Sequence, residues 1–153
     1  MPGTGDALRE GLRLGPLGIP VRVQTADPEG MGDRSSLDGS TVFVPSGDPA
    51  SVPHETLHAN LRQVENVVPG GTLAEILASK ASEAAYGDQS QYLNPFERIA
   101  YAFQEGKTGV PDAGYQAALE ADKKKPGGVL RALLGMGGKA ADVAGRTLGR
   151  IQR

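Results

Sequence analysis

The chain has no cysteine and no tryptophan. Without cysteine there is no disulfide, no thiolate-held metal and no cysteine nucleophile. Aromatic residues make up only 5% of the sequence, so the core must be built from Leu, Val, Ile and Ala. No apolar run reaches signal-peptide length in the N-terminal MPGTGDALREGLRLGPLGIP, and none approaches the length of a bilayer span. A soluble, cytoplasmic chain with no membrane partner is the expectation. The net charge is -2, which argues against nucleic acid as a bulk electrostatic partner. Histidine is also scarce. The chain has two, and both fall in one short stretch.

That stretch is Val52–Asn60, VPHETLHAN. It contains His54-Glu55-Thr56-Leu57-His58, an H-E-x-x-H pattern. Residues four apart on a helix lie one turn above each other on the same face. His54 and His58 can therefore offer two imidazoles to one metal ion. Two neutral nitrogens hold zinc without cancelling its charge. Glu55 lies beside that face, placed to accept a proton from water as it attacks a carbonyl. Random placement of two histidines, with Glu after the first, gives this pattern about once in a thousand sequences.

At 153 residues the chain is of single-domain size. Glycine and proline cluster at both ends. The reading is a compact middle, residues 20–125, with an arm at 1–19 and a Gly-rich basic tail at 126–153. Ala7–Leu14 can form a helical turn or two. Pro20–Gln24 and Thr41–Val44 alternate and are β-branched, so both read as strands. The polar stretch between them, from Asp27 to Ser40, reads as a loop. A sheet edge at Thr41–Val44 would suit binding of an extended peptide.

Ser51 is the expected N-cap of a helix running from about Val52 to Glu65, with Leu57, Leu61 and Val64 as its core stripe. Thr72 and Glu75 form a capping box opening a helix to Tyr86, with Leu73, Ile76 and Leu77 inward. Residues 87–93 read as a polar loop. Asn94 as N-cap and Pro95 at the first helical position start another helix, with Phe96, Ile99, Ala100 and Phe103 on its apolar face. A short helix over 111–124 ends in three lysines. The tail is weakly amphipathic, and the glycines between 135 and 149 oppose a stable isolated helix there. It suits a docking segment for a protein assembly partner or a plain tail, ahead of a membrane-surface helix.

A hydrolytic zinc site takes three protein ligands and keeps one position open. With no third His and no Cys, the third ligand must be a carboxylate. Glu65, Glu75, Glu83, Asp88, Glu97, Glu105 and Asp112 are the downstream candidates. Glu97 is the best choice, because it opens a separate helix whose apolar face packs on the core. Asn94-x-x-Glu97 also fits a capping box, so Glu97 has a structural alternative. Tyr86, Tyr92 and Tyr101 are candidate oxyanion donors, and Asn60 a candidate support for the histidines.

His54-Glu-Thr-Leu-His58 followed by Asn94-Pro-Phe-Glu97-Arg-Ile-Ala-Tyr101 resembles the zincin-like metallopeptidases of the Glu-ligand type, in a compact form found in phage and mobile-element proteins. The resemblance covers about residues 20–105. It implies a small α+β domain with a short sheet packed on the HExxH helix and further helices. It implies Zn2+ held by His54, His58 and Glu97, with Glu55 as general base, acting on peptide or protein substrates. A phage-encoded chain would act in the virion. The other reading is a non-catalytic zincin-fold component of a larger assembly.

Overall fold

The computed structural model describes residues 10–125 and 127–153. Residues 1–9 of the expected arm, and Pro126 of the expected tail, lie outside them. The described residues fall into two compact units, one ending at Gly71 and one spanning Thr72–Arg153. The fold is α+β, with a four-stranded mixed sheet. No helix among the described residues is long and apolar enough to cross a membrane.

The first unit holds the sheet. Its strands are β1 (Gly11–Leu14), β2 (Pro20–Gln24), β3 (Arg34–Ser35) and β4 (Thr41–Phe43), in the order β1-β2-β4-β3. The pairing of β2 with β4 is parallel, setting Val23 opposite Val42. Alternation does what period two requires. Val21 and Val23 are fully buried, and they form a core with Val42, Val44, Val52 and Ala59.

Two expectations are corrected here. The segment ending at Leu14 is not helical: Gly11–Leu14 is an edge strand, antiparallel to β2. Leu12 and Leu14 repeat every second residue, and the open side of β2 supplies the backbone partners. The strand at Thr41–Phe43 is not an edge. Arg34–Ser35, inside the presumed loop, pairs along its outer side. Two contacts hold Arg34 there, an ion pair of 2.7 Å to Asp27 and a guanidinium 4.3 Å above the Phe43 ring. Burial works against the charge on Asp27, but the hydrogen bond from Arg34 and backbone N–H groups of Gly32 and Glu29 hold its carboxyl down at about 2.

Helix α1 (Ser51–Val67) follows the sheet. It starts one residue earlier than its sequence suggests, so Ser51 lies inside the helix and Ala50 is the cap, without a side-chain hydrogen bond. Pro53 falls in the first turn, where an N–H has no intrahelical acceptor. Leu57 is in the core, whereas Val64 is exposed. Asn60 is fully buried and ties α1 to the β1–β2 turn. It accepts from Leu17 N–H at 2.8 Å and donates to the Ile19 carbonyl at 3.1 Å. A Cβ on Gly15 would lie 2.3 Å from the Asn60 amide oxygen, so the turn approaches only as bare backbone.

The second unit is helical: α2 (Gly71–Tyr86, beginning at the boundary), α3 (Ser90–Leu93), α4 (Pro95–Thr108), α5 (Ala113–Lys123) and α6 (Val129–Ile151). Thr72 lies within α2, not at its cap. Leu73, Ile76 and Leu77 face outward, 59%, 51% and 59% exposed, while Ser82 and Tyr86 are buried. Polar bonding turns the helix this way: Asn94 Nδ2 donates to Ser79 Oγ at 3.0 Å, and Arg131 lies over the Tyr86 ring. The expected loop at 87–93 is a 3-10 turn followed by α3, whose Leu93 is buried beside Tyr86 and Ala118.

The segment expected as a tail, Val129–Ile151, is a 23-residue helix packed on α4. Its glycines are the reason. Gly138, Gly145 and Gly149 are buried, and at Gly145 a Cβ would meet the Ile99 carbonyl oxygen at 2.3 Å. Backbone rides on backbone, which offsets the low helix propensity.

A buried polar group locks this packing. Arg98 of α4 donates through Nε to Asp142 of α6 at 3.1 Å, and through Nη2 to the other carboxylate oxygen. The fully buried Tyr115 of α5 gives its hydroxyl to the same carboxylate. Burial pushes the Tyr115 hydroxyl upward, and the Asp142 carboxylate pushes it further. Burial opposes the charge on Arg98, but Asp142 outweighs it and raises the guanidinium's pKa. Asp142→Ala leaves Arg98 buried and unpaired. It is expected to destabilise the chain by about 3 kcal/mol, read as a lower urea midpoint at unchanged slope.

Candidate metal centre

The histidine pair belongs to α1. His54 and His58 are both buried, on the face that carries Leu57. Their ring centroids are 4.9 Å apart with planes inclined at 60°. Local structure explains why a helix persists here despite Pro53 and Thr56. The Thr56 hydroxyl donates to the Val52 carbonyl at 2.7 Å, satisfying itself within the helix. The Asn60 tie one half-turn beyond His58 fixes the helix against the sheet. Asn60 therefore supports the pair by positioning α1, with its side chain committed to Leu17, Ile19 and Gln63. Glu55 lies one position after His54 and is half-buried.

Glu97 lies in the first turn of α4, in the second unit, and is half-buried. A carboxylate there is favoured by the positive end of the helix dipole. Asn94 caps this helix as expected, accepting from Phe96 N–H at 2.9 Å. The Asn94 N–H, which a capping box would give to Glu97, donates to the Ser90 carbonyl at 3.1 Å. The capping role foreseen as the alternative for Glu97 is thus supplied by backbone.

Three of the other candidate carboxylates have work of their own. Glu83 pairs with Lys80 at 3.5 Å on the exposed side of α2. Asp112 caps α5, accepting from Tyr115 N–H at 2.9 Å. Glu105 is buried and accepts from Arg146, Gln116 and the Asp112 N–H. Sequence reasoning gave no sign of that network, because a single Glu on a helix carries no mark of burial.

Two of the candidate tyrosines, Tyr92 and Tyr101, are in ring contact. Tyr101 stacks on Tyr115 with centroids 5.1 Å apart and planes 11° from parallel, and its ring centroid lies 5.3 Å from that of Tyr92. Tyr86 is buried, and burial pushes its hydroxyl upward. The donor set suits zinc: two imidazoles at the spacing of one helical turn, an acid beside them, and no thiolate anywhere in the chain. No protein-family model, curated protein or solved structure matches the chain.

Proposed function

We propose that the chain is a zinc-dependent peptidase with a zincin-like site: His54, His58 and Glu97 hold the metal, and Glu55 is the general base. The observation that carries the reading is the pair of buried imidazoles 4.9 Å apart on one face of α1, with a carboxylate next in sequence. Glu97 rests on the motif that surrounds it and on the engagement of Glu83, Glu105 and Asp112 elsewhere.

Zinc, when bound, supplies a Lewis acid that polarises a carbonyl and brings a water into the range where a carboxylate can deprotonate it. His54 and His58 present nitrogen lone pairs from a helix whose rotation is fixed by Asn60 and the valine core. Glu55 accepts the proton of the attacking water and returns it to the leaving amine. Peptide cannot add to β4, which has neighbours on both sides. The sheet's edges are β1 and β3.

The test is Glu55→Gln, with fluorescently labelled casein as the probe. The variant is expected to keep its zinc and to lose at least about a hundredfold in cleavage rate. Undiminished, chelator-resistant cleavage would remove Glu55 and the metal from the mechanism. Zinc-loaded wild-type protein that cleaves no peptide would favour the non-catalytic assembly component.

A further inference from the structure

A second site lies in the helical unit and does not depend on the histidines. An open groove of about 550 Å3 runs past the C-terminal ends of α4 and α6 and the start of α5. Arg146, Arg150 and Arg153 of the α6 end all line it. Arg146 and Arg150, four apart, share one face of α6, and Arg153 follows just past the helix end. Like charges one turn apart repel, so the arrangement has a cost that the helix itself does not recover.

Two glycines, Gly106 and Gly109, are among the residues that line the groove. A Cβ on Gly106 would sit 2.5 Å from the Arg146 carbonyl oxygen. Gly109, left-handed at φ 73°, would place a Cβ 3.4 Å from the Arg153 guanidinium. A side chain at Gly109 would occupy space beside the Arg153 guanidinium, whereas Gly106 is bare because the α6 backbone packs on it.

Glu105 is the one acidic side chain lining the groove, and both of its oxygens are engaged. It accepts from Arg146 at 2.9 Å and from Asp112 N–H at 2.7 Å, and Gln116 donates to both oxygens. This clamp orients Arg146 through one terminal nitrogen. Arg153 donates through Nε to the Gly106 carbonyl at 3.0 Å. Arg150 meets no acceptor among the described residues. Three guanidinium groups and one side-chain carboxylate line the groove. The negative end of the α6 dipole accounts for cations in a last turn. It does not account for a buried carboxylate that orients one of the arginines.

We propose that this groove binds a phosphate group, free or esterified. Guanidinium forks match the oxygens of a phosphate dianion, and the side chains lining the groove are predominantly cationic. The groove is large enough for the organic body of an ester as well as its phosphate.

The experiment is calorimetric titration of the full chain with inorganic phosphate and with phenyl phosphate, at fixed ionic strength. Arg150→Gln and Lys139→Gln are compared; both remove one exposed positive charge from α6, and only Arg150 lines the groove. Circular dichroism checks that both variants keep the helix. The expected result is saturable binding at one site, weakened about tenfold or more by Arg150→Gln and unchanged by Lys139→Gln. Tighter binding of phenyl phosphate identifies an ester as the occupant, and equal binding identifies the free ion. Wild-type protein that fails to bind either probe up to about 10 mM, or equal weakening in the two variants, would overturn the proposal.

Discussion

Replacing His58 with alanine is expected to take bound zinc from about one ion per chain to none. The imidazole is one of three proposed donors, and a hydrolytic zinc site has no donor to spare. Alanine is the best helix former, so α1 persists and the loss is read as a loss of ligand. Two readouts should agree. Metal analysis gives the stoichiometry, and thermal unfolding gives the linkage. Zinc at a hundred times its dissociation constant stabilises the folded chain by about 2.7 kcal/mol. For a chain of this size that raises the Tm by roughly 5–10 °C. His58→Ala should show neither the ion nor the rise. Glu97→Ala should match it, and Glu83→Ala, whose carboxylate pairs with Lys80, should behave as wild type. If Glu97→Ala keeps its zinc, the third donor moves to Glu65, Glu75 or Asp88.

What could be read from the sequence divides along physical lines. Signals that act through the backbone of a few neighbouring residues were legible. Asn94 followed by Pro95 starts α4 where expected, because a cap and a fixed φ are local facts. The valines of β2 and β4 point inward because alternation is local too. The histidine pair is local in the same way, since its spacing needs only one helical turn. What failed depended on distant partners. Leu73, Ile76 and Leu77 look like a core stripe, yet the hydrogen bond from Asn94 to Ser79 and the stacking of Arg131 on Tyr86 turn α2 the other way. The strand at Gly11–Leu14 needed β2 beside it to be a strand at all. The burial of Arg98 and Glu105 depends on Asp142 and Arg146, which arrive from α6. Third-ligand reasoning shares that weakness, because elimination among carboxylates needs to know which of them are engaged.

The glycines of α6 give the sharpest case, because their effects should carry opposite signs. In a helix interior, Gly→Ala gains about 1 kcal/mol from reduced backbone freedom. Gly135 has nothing within 4 Å of a built Cβ, so Gly135→Ala should be stabilising by about that amount. At Gly145 the same methyl meets the Ile99 carbonyl oxygen at 2.3 Å, the Phe103 nitrogen at 3.0 Å and the Ala102 Cβ at 3.1 Å. Two of these are backbone atoms of α4, which cannot rotate aside. Gly149 repeats the situation against the Phe103 carbonyl at 2.5 Å, and Gly106 on α4 answers against Arg146 at 2.5 Å. Seating a methyl there means moving the helices apart along their whole contact. That separation stretches the Arg98–Asp142 pair, which is worth most at its present geometry. Overpacking and the strained pair together outweigh the propensity gain, and a net loss of about 2–3 kcal/mol is expected for Gly145→Ala. Urea unfolding of the two variants side by side decides it. If Gly145→Ala stabilises as Gly135→Ala does, α6 does not ride on the backbone of α4, and the groove built on their shared C-terminal end goes with it.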